Sequence, residues 1–191
     1  MYTELLADPQ FHALLLKFDE DLAAECRVRG CRACAGKLHS GRYRRKPRGG
    51  PPSLPAGYEW RFSFCCAVDG CRKRAMPASL RYLSRKVYLG AVVVLITAMR
   101  CGPSPARIRL LHQLVGVSRH TVARWRRWWC ERLPATRFWR AAAGTLMPPA
   151  IIEDLPASLL ECFTGSCEER VLSLLRWLSP VSAGSSAVHA M

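Results

Sequence analysis

Acidic residues are scarce in this chain beside its basic ones. Its 191 residues hold 14 Asp and Glu against 29 Lys and Arg, a formal net charge of +15. The shortage is local: residues 26–58 carry nine bases and no acid, and residues 100–140 carry ten bases against Glu131 alone. A large uncompensated positive charge in the middle of a chain implies a polyanion as partner, either nucleic acid or an anionic surface. The ends differ, with six acids and one base in residues 1–25, and five acids and two bases from residue 141 onward. A bilayer-length apolar run is also missing. The most apolar stretch, Leu89 to Met99, is about half of the ~20 residues a spanning helix needs, so we expect a buried helix and no membrane partner. The N-terminus lacks the basic segment that precedes the apolar part of a secretory leader. We therefore expect a reducing compartment, in which some of the ten cysteines serve as metal ligands rather than disulfides.

Half of the residues are hydrophobic, which excludes global disorder. The stretch that organises the chain runs from Pro105 to Arg132, PARIRLLHQLVGVSRHTVARWRRWWCER. It reads as two helices joined at Val115-Gly116-Val117-Ser118. Gly116 can adopt the positive-φ turn cheaply and Ser118 can cap the second helix. Val122, Trp125 and Trp129 recur at helical spacing and face the first helix, where Leu110, Leu111, Leu114 and Val115 lie. Arg119, His120, Arg124 and Arg127 then project outward together. A short glycine turn before a cationic second helix is the form of a helix-turn-helix, with those four residues as candidate DNA contacts.

Upstream, residues 1–25 read as an amphipathic helix capped by Asp8, with Pro9 in its first turn and Phe11, Leu14, Leu15, Phe18 and Leu22 on one face. Its other face is acidic. Cys31-x2-Cys34 followed by Gly36 has the form of a zinc knuckle, and Trp60-Arg61-Phe62-Ser63-Phe64 alternates like a strand running into Cys65, Cys66 and Cys71. Two cysteine pairs separated by a ~30-residue insert are laid out as in a zinc ribbon. We assign Cys31, Cys34, Cys66 and Cys71 as ligands of one structural Zn2+, with Cys65 able to replace Cys66 and Cys26 a spare. Four thiolates leave no open position for water or substrate. The insert holds Arg42, Arg44, Arg45, Lys46 and Arg48 among Pro and Gly, which predicts an extended basic loop. With Arg72, Lys73 and Arg74 it supplies candidate phosphate contacts. Arg81, Arg85 and Lys86 continue the cationic run.

Beyond the hydrophobic helix and the helix-turn-helix (87–134), short helices are expected in 135–147, 151–163 and 168–178. Cys162 and Cys167 then stand at helix ends, and a disordered tail follows from Ser179. The expected fold is mainly α with a small β zinc ribbon and a helix-turn-helix core. Its segments are 1–25, 26–86, 87–134, 135–178 and 179–191.

The succession of a cysteine knuckle, a basic insert, a strand into CCAVDGCRKR, a hydrophobic helix and GVSRHTVARWRRWW resembles the N-terminal region of bacterial insertion-sequence transposases. It is closer still to small transposase-related proteins of mobile elements. The resemblance covers residues 26–135. It implies double-stranded DNA as partner, Arg119, His120, Arg124 and Arg127 in the major groove, the ribbon on flanking backbone, and a bacterial cytoplasmic, nucleoid-associated location. Full transposases add a domain with three spaced carboxylates. Here only Glu153, Asp154, Glu161, Glu168 and Glu169 follow residue 135, so we expect a non-enzymatic accessory or regulator. The competing expectations are an adaptor that recruits a recombinase or transposase, and an RNA-binding protein. A homodimer fits either DNA reading, because one helix-turn-helix gains specificity by pairing.

Overall fold

The computed structural model describes residues 2–83, 88–98, 109, 112–113 and 116–183. It is mainly helical with a small antiparallel sheet. Helices α1 (Tyr2–Ala7) and α2 (Pro9–Arg29) open the chain. Asp8 caps α2 by accepting from the Gln10 N–H at 2.8 Å, and Pro9 occupies the first turn, where its missing N–H costs nothing. The helix runs four residues past the expected boundary at 25 and delivers Gly30 and Cys31 directly into the first cysteine pair.

Strands β1 (Leu38–Ser40), β4 (Phe64–Cys66) and β5 (Arg74–Ala75) form one sheet, in that order. Strands β2 (Tyr43–Arg44) and β3 (Trp60–Arg61) pair separately. The register is continuous across the two sheets. Leu38 faces Cys66, Ser40 faces Phe64, Gly41 N–H donates to Ser63 O, Tyr43 faces Arg61, Arg44 faces Trp60, and Arg45 N–H donates to Glu59 O. One long hairpin therefore carries the cysteine-rich sheet at one end and the basic insert at the other. The expected extended basic loop is corrected here: its first half is paired strand. Its tip is packed, with Gly49 at φ +85° so close to Val92 that a Cβ would lie 2.9 Å from Cγ1.

Helix α3 (Gly90–Thr97) is buried along its whole length, as a helix that is apolar all round must be. It is the hub of a core built from distant parts of the chain. Leu6, Phe11 and Leu15 come from the N-terminus, Val122, Trp125 and Trp129 from the middle, and Val171, Leu174 and Leu175 from near the C-terminus. Helix α4 (Arg119–Arg127) continues into a π-helical turn, Trp128–Arg132. Helices α5 (Arg137–Ala142), α6 (Ala157–Glu161) and α7 (Cys167–Leu178) follow. Ser166 and Glu169 close a reciprocal capping box at the start of α7. Cys162 and Cys167 stand at helix ends, as expected. The disordered tail is corrected for its first residues: Ser179–Ser182 form a 3-10 turn with Ser182 buried, while residues 184–191 lie outside the described residues.

The expected division of α2 into apolar and acidic faces is also corrected, because Asp19 lies on the buried face. It accepts from Ser79 Oγ at 2.5 Å, Leu80 N–H at 2.6 Å and Arg81 Nε at 2.8 Å. Arg81 in turn donates to the carbonyls of Tyr58 and Trp60. Arg81 thus leaves the expected cationic run and becomes a core residue. Arg61 is buried as well and donates to Pro77 O at 2.6 Å.

His12 is fully buried in the same region, with Nε2–H donating to Leu6 O at 3.0 Å and Nδ1 accepting from Tyr58 Oη at 3.1 Å. Burial holds its pKa below the ordinary 6.5, against the opposing pull of Leu6 O and Asp8. The unfolded chain therefore binds a proton at higher pH than the folded one. Stability rises with pH between the two values and is lost as pH falls below about 6.5. We expect urea unfolding of the wild type to show a larger stability loss between pH 7.5 and 5.5 than His12→Phe. Equal pH dependence in the two proteins sinks this assignment.

Candidate functional site

The four assigned cysteines converge. The Sγ atoms of Cys31, Cys34, Cys66 and Cys71 all lie within 4.8 Å of one another, with Cys31–Cys71 at 3.7 Å and Cys34–Cys66 at 3.4 Å. Metal–sulfur bonds of ~2.3 Å in a tetrahedron place sulfurs about 3.8 Å apart, so the group can hold one metal ion. Cys65 is turned away: its thiol donates to Arg72 O at 3.4 Å. Of the two alternatives, Cys66 and not Cys65 stands in the cluster. Cys26 packs beside the cluster without joining it.

Both cysteine pairs are folded by the same local device. In the first, Cys31 N–H donates to Gly36 O and Ala35 N–H to Cys31 O, closing a tight turn. In the second, Cys71 N–H donates to Val68 O, and Gly70 at φ +81° absorbs the two extra residues between the cysteines. The residue after the second cysteine of each pair has positive φ: Ala35 at 55° and Arg72 at 41°. These turns aim backbone N–H groups at sulfur. The Ala33 N–H in particular favours the Cys31 thiolate and holds it down to about 6. Val68 N–H does the same for Cys66 at 3.4 Å, yet burial and the three neighbouring sulfurs push that thiol up to about 12. Thiols bind metal as thiolates, so protons compete with the ion and metal affinity falls as pH falls.

Gly36 is fixed by this packing. A Cβ there would overlap Val68 Cγ2 and lie 3.2 Å from Cys34 Sγ and 3.3 Å from Cys66 Sγ. We expect Gly36→Ala to weaken metal binding by about tenfold, read by competition with a chromophoric chelator. An unchanged affinity would show that the turn tolerates the methyl group.

The basic residues are placed in two sets. Arg42 and Arg44 both lie 5.0 Å over the Trp60 ring, and Arg45 lies 5.0 Å over Tyr82. Such contacts hold guanidinium planes without neutralising them. Lys46, Arg48, Lys73 and Arg74 are exposed. Arg72 is exposed but bonded to Asp69 at 2.6 Å, and Arg44 reaches Glu59 at 4.0 Å. Surface pairs of this kind are worth ~0–1 kcal/mol and do not lock the side chain.

The second set is on α4. Ser118 caps it by accepting from the Thr121 N–H at 3.3 Å, and Gly116 before it has φ +65° with its N–H on His112 O. Val122, Trp125 and Trp129 are buried, while Arg119, His120, Arg124 and Arg127 are exposed. The expected preceding helix, 105–115, lies outside the described residues except for Arg109, His112 and Gln113, which are helical and exposed. Tyr88 links the two sets. Its ring packs edge-on to Trp125 at 4.9 Å, its hydroxyl donates to Gly116 O at 3.2 Å, and its backbone bridges to Arg48. The link was not legible in the sequence, because nothing marks Tyr88 except its position before α3. No family model, no curated protein and no solved structure matches the chain. Among the described residues, no helix is long and apolar enough to cross a membrane.

Proposed function

We propose that this protein is a non-catalytic, sequence-recognising DNA-binding protein, related to transposases of mobile elements and acting as an accessory or regulator. In this reading the cysteine-rich hairpin is a zinc ribbon with one structural Zn2+. Residues 105–127 are a helix-turn-helix with α4 as the recognition helix. The observation that carries it is α4 itself: a capped helix after a positive-φ glycine, buried through Val122 and Trp125, with Arg119, His120, Arg124 and Arg127 exposed as contact with a major groove requires. Arginines there would read guanine O6 and N7, each good bidentate pair adding about 1–3 kcal/mol of discrimination. The link to mobile elements rests on the sequence resemblance alone.

The test is selection from a random duplex library with the full chain, with metal content measured on the same sample. We expect an enriched motif and one zinc per chain. Arg124→Ala with Arg127→Ala should lose the motif while keeping the metal. Absence of any motif, or a double variant with unchanged selectivity, overturns the reading.

A second reading, an adaptor that docks a recombinase or another protein, is favoured by one surface. Met147 and Ile151 are 78% and 58% exposed on one short segment, with Ile152 beside them.

A further inference from the structure

Beside the four cysteines lies an open groove of about 810 Å³. Arg29, at the end of α2, and Arg32, between Cys31 and Cys34, line it, as do Lys73 and Arg74, just past Cys71. All four side chains are exposed, and none forms an ion pair among the described residues. Among the described residues Glu25 is the single acid in the lining, and Leu22, Met76, Pro77 and Pro180 give it apolar surface.

We propose that this groove seats a phosphodiester backbone, and that a metal held by the four cysteines keeps together the two cysteine turns that bring cations to it. The proposal rests on the DNA-binding reading above and adds a second contact surface to it. Four cations without an ion pair among the described residues, beside apolar lining, call for an anionic occupant with spaced charges. Among the described residues no aromatic ring lines the groove, so unstacked bases have no platform there, and the contact is with phosphates rather than with sequence. The metal enters through the architecture. Cys31 itself lines the groove, Arg32 sits inside the first cysteine turn, and Lys73 is two residues past Cys71. The Cys31–Cys71 sulfur contact at 3.7 Å joins the turn carrying Arg32 to the turn that leads into Lys73 and Arg74. Releasing the metal frees these two turns and separates the cations.

The experiment measures the affinity of the metal-loaded full chain for a duplex of fixed sequence over a range of NaCl concentrations. Each phosphate neutralised contributes about 0.9 to the slope of log K against log salt. We expect the quadruple variant Arg29→Ala, Arg32→Ala, Lys73→Ala, Arg74→Ala to bind at least tenfold more weakly and with a slope shallower by about 3. Arg29→Glu alone, on α2 and clear of the cysteine turns, should also flatten the slope, and it serves if the quadruple variant loses its metal. Chelation of the wild type should bring its slope to that of the quadruple variant. A wild-type slope in a folded, metal-loaded variant overturns the groove, and a slope indifferent to chelation overturns the role of the metal. Competition by polyglutamate as effective as that by DNA of equal charge assigns the groove to acidic protein and overturns the proposal. Arg124→Ala with Arg127→Ala is run in parallel. If it leaves sequence selectivity intact while the groove variants flatten the slope, the recognition-helix reading fails and the groove stands.

Discussion

Replacing Cys66 with serine is expected to abolish metal binding and to unfold the cysteine-rich end of the hairpin. Cys66 is fully buried, lies 3.4 Å from Cys34 Sγ and accepts the Val68 N–H. Among the described residues, the satellite core it belongs to has four other buried members, Ala23, Cys31, Leu38 and Phe64. Burying a Leu or Phe contributes ~1.5–3 kcal/mol, whereas ordering each backbone residue costs ~1–2 kcal/mol. Such a small cluster cannot order two cysteine turns and three short strands alone. A structural zinc can add ~10–16 kcal/mol in small metal-dependent modules, and that binding energy is folding energy. We therefore expect metal content to fall from one per chain to near zero in Cys66→Ser. Amide exchange protection at Leu38 and Phe64 should disappear, while α3 stays protected by the main core. Cys65→Ser, its neighbour with a thiol facing Arg72 O, should keep the metal. The assignment fails if Cys65→Ser loses the metal and Cys66→Ser retains it.

The second large effect is expected at Asp19. Asp19 and Arg81 are both 0% exposed, and their contact is 2.8 Å. Asp19→Ala leaves a buried guanidinium without its carboxylate, which costs about 3–5 kcal/mol. It also strands Ser79 Oγ and the Leu80 N–H, which both donate to that carboxylate. Domains of this size are stable by ~5–15 kcal/mol, so the variant should be close to unfolding at room temperature. Adding Arg81→Met should recover part of the loss, because no charge is then left buried. Urea unfolding of the three proteins at equal metal loading measures both changes. A loss under about 1 kcal/mol for Asp19→Ala would mean that the pair is solvated in solution. The same contacts make α2 part of the core. A deletion of residues 1–25 would remove Asp19, His12 and Phe11 together and report on folding rather than on docking.

Much of the candidate site was legible because its chemistry is local. Cys31-x2-Cys34 with Gly36 specifies a turn whatever surrounds it, and Ser118 after Gly116 specifies a helix start. The periodicity of Val122, Trp125 and Trp129 fixes which side of α4 is buried, and therefore which arginines are not. The choice of Cys66 over Cys65 was not legible, because adjacent strand residues point to opposite faces and only the pairing of Leu38 with Cys66 says which face holds the sulfurs.

What the sequence determined by itself is therefore the mainly helical character, the four cysteines that gather and the excess of positive charge, each carried by spacing over a few residues. Only the tertiary structure decided which charges are available. Arg61 and Arg81 look no different in sequence from Arg42 and Arg74. The first two are buried against backbone carbonyls 16 and 23 residues away, with Asp19 on Arg81, while the other two stand in solvent. The groove between Arg29 and Lys73 likewise exists only because sulfurs 40 residues apart meet. The reason is physical: a charge can be buried only where the fold supplies partners for it, and those partners come from parts of the chain that a local pattern does not reach.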